Sequence, residues 1–238
     1  MRASLSLKLT QNIKMKFIVL EGLDGSGKST QIKLLRDYLN RQKIKHQYLH
    51  FPRMDAPVYG ELIARFLRGE LGANNSVDPY LVALIYAGDR NDAADQIRKW
   101  LREDYFVLVD RYVISNIAFQ CAKLKGQEEM KKLNDWIINL EYEYFKIPVP
   151  DLNIFLDVPF EFTQSQLTSE RGGDDRSYLQ GTKDIHEDDL DFQKRVRQVY
   201  LNLGAKQKNF SVINCSSENG KVLPPVEIFE KILERIFK

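Results

Sequence analysis

Cysteine is almost missing from this chain. Cys121 and Cys215 stand far apart among 238 residues, too few and too distant for a disulfide framework or a zinc cluster. A reducing compartment, the cytoplasm, is therefore the expected location. An excess of either charge is missing too: 35 Lys and Arg against 33 Asp and Glu leave a formal +2, far from the basic surplus of a nucleic-acid binder. Any cationic site must be local. No apolar run approaches the roughly 18 residues that a membrane-spanning helix requires, which predicts a soluble protein with no membrane partner. Residues 1–14 carry Arg2, Lys8 and Lys14 with no acid and no apolar h-region. They resemble a weak transit peptide or an untranslated leader more than a secretory signal. Met15, directly before the first apolar run, reads as the natural start; a disordered natural tail over 1–14 is the alternative.

What is present is an alternation. Short apolar runs at Phe17–Leu20, His46–Phe51, Phe106–Val109, Leu152–Val158 and Phe210–Asn214 predict five strands. Between them, segments such as Gln31–Arg41, Pro79–Arg102 and Lys131–Phe145 are long enough for crossover helices. This order predicts a three-layer α/β/α fold with a mainly parallel sheet, in one domain over 15–238. Glu170–Asp189, dense in Gly, Asp and Arg, reads as a mobile functional loop, a lid over about 168–189. The segment from Pro224 to Lys238 reads as a capping helix.

The strongest local signal follows the first strand. Gly22, Leu23, Asp24, Gly25, Ser26, Gly27, Lys28 and Ser29 spell G-x-x-x-x-G-K-S, with Thr30 next and a helix expected at once. Glycines let successive N–H groups turn toward an anion, and the helix N-terminus adds its dipole. Lys28 reaches the outer phosphates and Ser29 offers its hydroxyl to Mg²⁺. Phe106-Val-Leu-Val-Asp110 ends a second strand on an acid that can hold the metal through water, and Arg111 beside it can grip a phosphate with two parallel bonds. ATP and Mg²⁺ are thus the expected co-substrate and metal, with Ser29 and Asp110 at the metal. No Asn-Lys-x-Asp guanine reader, transporter signature, effector loop or basic track is present. His46, His50 and His186 form no nucleophile and base pair. Phosphoryl transfer to a small acceptor is the expected reaction. The rivals are a kinase for another nucleoside or nucleoside monophosphate, and a nucleotide-dependent switch.

The motifs continue past the P-loop. Glu21-Gly-Leu-Asp-Gly-Ser-Gly-Lys-Ser-Thr-Gln31 is followed by Phe51-Pro52-Arg53, Leu84-Ile-Tyr-Ala-Gly-Asp-Arg90, Asp110-Arg-Tyr-Val-Ile-Ser115, Ala118-Phe-Gln120 and Pro150-Asp151. In order and spacing the chain from Lys16 onward resembles the thymidylate kinase family. The resemblance implies conversion of ATP and dTMP to ADP and dTDP, with Asp24 meeting the acceptor's 3′-hydroxyl and Arg53 and Arg111 holding its phosphate. It also implies that Tyr86 stacks on the base where the family usually places phenylalanine, and that Arg90, Ser115 and Gln120 supply polar contacts. Gly25 and Ser26 stand where one branch of the family has a P-loop arginine. The loop's Arg171 and Arg176 resemble the branch whose lid arginines close over ATP, which implies charge neutralisation by one or the other of them, although the Gly-Gly-Asp-Asp between them departs from that pattern. Phe51–Pro52 is expected to be a cis peptide shaping the acceptor pocket. A homodimer through the Pro79–Arg102 and Asn134–Phe145 helices is implied as well, and His186 is expected in lid or dimer packing.

Overall fold

The computed structural model describes residues 14–168, 178–179, 184–186, 189–205 and 207–237. The apolar runs become β1 (Phe17–Gly22), β2 (His46–His50), β3 (Phe106–Asp110), β4 (Leu152–Asp157) and β5 (Phe210–Asn214). They lie in the order β2-β3-β1-β4-β5, and every neighbouring pair in this sheet is parallel. The crossovers contain α1 (Lys28–Arg41), α2 (Tyr59–Leu67), α3 (Pro79–Arg102), α4 (Val113–Cys121), α5 (Gln127–Ile138), α6 (Phe160–Thr168) and α7 (Leu190–Gly204), and α8 (Pro225–Ile236) follows β5.

Period-two alternation in the central strands makes the layers. Phe17, Val19, Val107, Val109 and Phe155 pack with α3, α4, α5 and α7 on one face. Ile18, Leu20, Leu108, Ile154 and Leu156 pack with Ile32, Leu35 and Leu39 of α1 and Ile228 and Ile232 of α8 on the other. A third cluster joins Ile63, Phe66 and Leu67 of α2 to Val82 of α3, with Tyr86, Tyr178 and Ile185 packed against it.

Helix signals are legible where local chemistry makes them. Asp78 accepts a hydrogen bond from Tyr80 N (2.8 Å) and Pro79 opens α3; Asp189 caps α7 through Phe192 N (2.8 Å). One expected helix differs. The segment read as continuous over 131–145 starts earlier, at Gln127, and gives way at Asn139 to a π-helical turn over Asn139–Tyr144. The extra residue in that turn brings Glu141 fully inside, against Arg90. Among the described residues, no helix is long and apolar enough to cross a membrane.

Candidate active site

The site begins where β1 ends. Gly25 (φ 76°) and Gly27 (φ 83°) adopt the left-handed backbone that lets the loop curl before α1 starts at Lys28. A Cβ on Gly22 would lie 2.4 Å from Ser26 Oγ, so a side chain there would force the Ser26 hydroxyl to turn away. Parallel pairing aligns Leu20 with Asp110, which sets the end of β3 beside the loop. Lys28 Nζ donates to Leu23 O (3.1 Å) and Gly22 O (3.4 Å). Burial, and then the charge of Arg111, lower its pKa to about 8, although Asp110, Asp24 and Glu21 work the other way.

Arg111 sits at φ 64°, uncommon for a side chain with a Cβ. The next residues hold that turn in place: Glu21, fully buried at the end of β1, accepts Tyr112 N (3.0 Å), Ser115 N (3.3 Å), Tyr200 OH (3.0 Å) and the Ser115 hydroxyl. Arg111 Nη2 donates to Asp24 Oδ1 (2.6 Å) and Nη1 to Ser115 Oγ (3.2 Å). Burial opposes ionisation of Asp24, but Arg111, Lys28 and further partners outweigh it and hold its carboxyl well below the ordinary range. From α7, Gln193 Nε2 donates to Asp24 Oδ2 (3.2 Å) and to His186 O (2.9 Å).

A cleft of about 1260 Å³ connects these groups. Asp24, Gly25, Ser26, Gly27, Lys28, Ser29 and Thr30 line one end with Asp110; Phe51, Arg53, Tyr86, Arg90, Arg111, Ser115 and Gln120 line the other. Gly22 and Leu23 lie behind this surface, Leu23 in the core beneath it. The Phe51–Pro52 peptide is cis. Arg53 is anchored by Asp89, through Nε to Oδ1 (2.8 Å) and its backbone N to Oδ2 (2.9 Å), and by Asp92 Oδ2 (2.6 Å). Ser115 is committed to the Glu21 network, and Gln120 Oε1 is buried without a partner. Arg171 and Arg176 lie outside the described residues.

Several functional groups escaped the sequence reading. Glu21 stood inside the quoted P-loop motif, an acid within an apolar run. Asp89 likewise stood inside the quoted Leu84–Arg90 motif; Asn116, Glu141 and Gln193 carry no local signal, because their partners come from distant elements. Asn116 Nδ2 donates to Ala83 O and Glu141 Oε1 (both 3.0 Å), while its Oδ1 is buried without a partner on the cleft wall. His186 lies on the cleft among Phe66, Phe119 and Phe192. Burial and the nearby Lys123 push its pKa down to about 3, so the ring is neutral at ordinary pH.

Comparison with known proteins points the same way. The family model described as thymidylate kinase matches residues 20–223. The probable thymidylate kinase of Pyrobaculum aerophilum is 31% identical over 222 residues, 92% of this chain and 98% of that protein. The thymidylate kinase of Plasmodium falciparum is 30% identical over 195 residues, 82% of this chain and 84% of its own. The solved thymidylate kinase of Candida albicans superposes with a TM-score of 0.67 at 24% identity, covering 93% of this chain and 91% of that one, and so shares the fold. With a P-loop, a buried acid and several arginines in one cleft, the chain belongs to the thymidylate kinase family, enzymes that phosphorylate dTMP at the expense of ATP.

Proposed function

We propose that this chain moves the γ-phosphoryl group of ATP to the 5′-phosphate of dTMP by in-line displacement, with no general base. The acceptor oxygen is already ionised near neutral pH, since a phosphate monoester has a second pKa of about 6. The work left to the protein is alignment and charge neutralisation. The carrying observation is the continuity of the cleft, which runs from Lys28 to Arg111 and on to Arg90.

At the donor end the P-loop N–H groups and Lys28 hold the phosphates. The residues fit Mg²⁺: Ser29 faces the cleft and Asp110 has a buried Oδ1 without a protein partner. Burial resists its ionisation, but Lys28, His50 and Arg111 keep the Asp110 carboxyl below its ordinary pKa, ready to act as an acceptor. Among the described residues no cluster of three His, Cys, Asp or Glu forms a closed metal cage, as suits an ion shared with phosphates and water. When bound, the ion supplies charge neutralisation on the transferring group.

At the acceptor end Arg53 and Arg111 take the dTMP phosphate, Asp24 accepts the 3′-hydroxyl, and Tyr86 stacks on the base. Ser115 serves by steadying Arg111. Arg90 offers a guanidinium N–H to the base carbonyl O4, the unpartnered oxygens of Asn116 and Gln120 face the ring's donor edge, and Arg171 and Arg176 complete neutralisation from the lid. The enzyme acts as a homodimer in the cytoplasm; Leu81 and Leu84, exposed on α3, support the dimer.

The test is ADP release from ATP and Mg²⁺ with dTMP, dUMP, dCMP, AMP, GMP and thymidine offered separately. Turnover is expected with dTMP above the others. Turnover confined to a purine nucleotide or to thymidine would remove the roles of Tyr86, Arg90 and Gln120, and binding of ATP with no turnover on any acceptor would favour a switch protein.

A further inference from the structure

We infer that Glu141, on the π-helical turn, is a positioning residue that sets base specificity by fixing which atoms of Arg90 and Asn116 the acceptor base meets. The inference rests on the dTMP reading above.

The turn over Asn139–Tyr144 interrupts the helical run that begins with α5, and Phe145 N reaches back five residues to Leu140 O (2.9 Å). That widened turn rotates Glu141 inward to full burial while Tyr144 stays exposed. Its carboxylate takes three donors: Arg90 Nε on Oε2 (2.5 Å), Arg90 Nη2 on Oε1 (2.7 Å) and Asn116 Nδ2 on Oε1 (3.0 Å). The other hydrogen of the Asn116 amide goes to Ala83 O (3.0 Å). Both amide hydrogens are thus spent on acceptors, and turning the amide over would set its oxygen against a carboxylate and a carbonyl. The orientation of Asn116 is therefore chemically determined, not arbitrary.

The consequence appears on the cleft wall, which both Asn116 and Arg90 line. Asn116 presents an oxygen with no protein partner, an acceptor only. Arg90 is all donor. A donor for O4 beside an acceptor for N3–H matches thymine and uracil. Cytosine offers the reverse, an exocyclic N4 donor and a bare N3, and would leave buried groups facing their own kind. Glu141 holds both halves of this pattern yet does not itself line the cleft.

Glu141→Gln tests this without changing size. One carboxylate oxygen becomes an NH₂ and faces a donor, so either Arg90 or the Asn116 amide turns away. The kcat/KM ratio for dTMP over dCMP is expected to fall by about 10- to 100-fold, the scale set by leaving one buried polar group unpaired, with the KM for ATP unchanged. A role in stability alone would lower both substrates together. A folded variant that keeps the wild-type ratio overturns the inference. If Glu141→Gln does not fold, wild-type protein carries the test. It is expected to bind dTMP methylated at N3 far more weakly than dTMP; equal affinity overturns it. Failure of wild-type protein to phosphorylate dTMP overturns the reading of the function itself, a separate outcome from an unchanged ratio.

Discussion

Lys28 sits with its ammonium against the carbonyls of Gly22 and Leu23, buried and short of compensating negative charge, and its pKa is lowered to about 8. A lysine depressed in this way costs stability while it is charged, below that pKa, and the cost disappears as pH rises toward its ordinary 10.5. In the proposed complex ATP reverses the balance, because phosphates against Lys28 would stabilise the ammonium and raise the pKa again. Binding at a pH of about 9 must then draw a proton from solvent, whereas near pH 6.5 Lys28 contributes none. Calorimetry of ATP binding in two buffers of different ionisation enthalpy is expected to show uptake that grows toward one proton above pH 8. Uptake that does not change with pH would mean that Lys28 is already charged throughout the free protein. Asp24 moves oppositely: its carboxyl lies below the ordinary range, so it is ionised wherever the enzyme works and accepts hydrogen bonds only.

The contact of α2 with the segment carrying Arg53 depends on one missing methyl group. A Cβ on Gly60 would stand 2.4 Å from Met54 O and 2.8 Å from Arg53 O, both backbone atoms that have no rotamer to escape into. Gly60→Ala is therefore expected to push the first turn of α2 off that segment. The cost is about 1–3 kcal/mol in a melting experiment, together with a raised KM for dTMP and an unaltered KM for ATP. Equal loss for both substrates would place the strain elsewhere. Sequence legibility divides at this same scale. All five strands, α1, α3 and α8 announce themselves, because each has an apolar run, a period or a cap of its own. α4 does not: all nine of its residues are buried, so it shows no alternation between an inner and an outer face. The π-helical turn does not either, since it exists to serve Arg90, a partner 51 residues away in sequence. The same division runs through the site. The P-loop is written in consecutive residues, and the proposed acceptor contacts rest on family motifs. Glu141, Asn116 and Gln193 are meaningful only once the chain is folded.

At the scale of the whole molecule, α3 carries Tyr86 and Arg90 on the cleft wall and an apolar edge turned to solvent. On α3, Val82, Ala83, Ala87 and Ala94 turn into the core, while Leu81 (59% exposed) and Leu84 (42%) share another face three residues apart. Tyr144, 76% exposed, lies in the second segment assigned to the dimer. Leaving this much large apolar side chain in water is unfavourable, and a second copy of the same face would cover it. Leu81→Asp separates association from folding, because position 81 lies in the first turn of α3, where a carboxylate complements the helix dipole and the substituted chain loses little stability. Sedimentation is expected to give twice the 27.7 kDa chain mass for the wild-type protein and a single chain for Leu81→Asp, with the circular dichroism spectrum and dTMP turnover per chain retained. A wild-type protein that sediments as one chain, or a variant that still pairs, would remove α3 from the interface. A monomer that folds but no longer turns over dTMP would show that the partner steadies α3, and with it Tyr86 and Arg90, from outside.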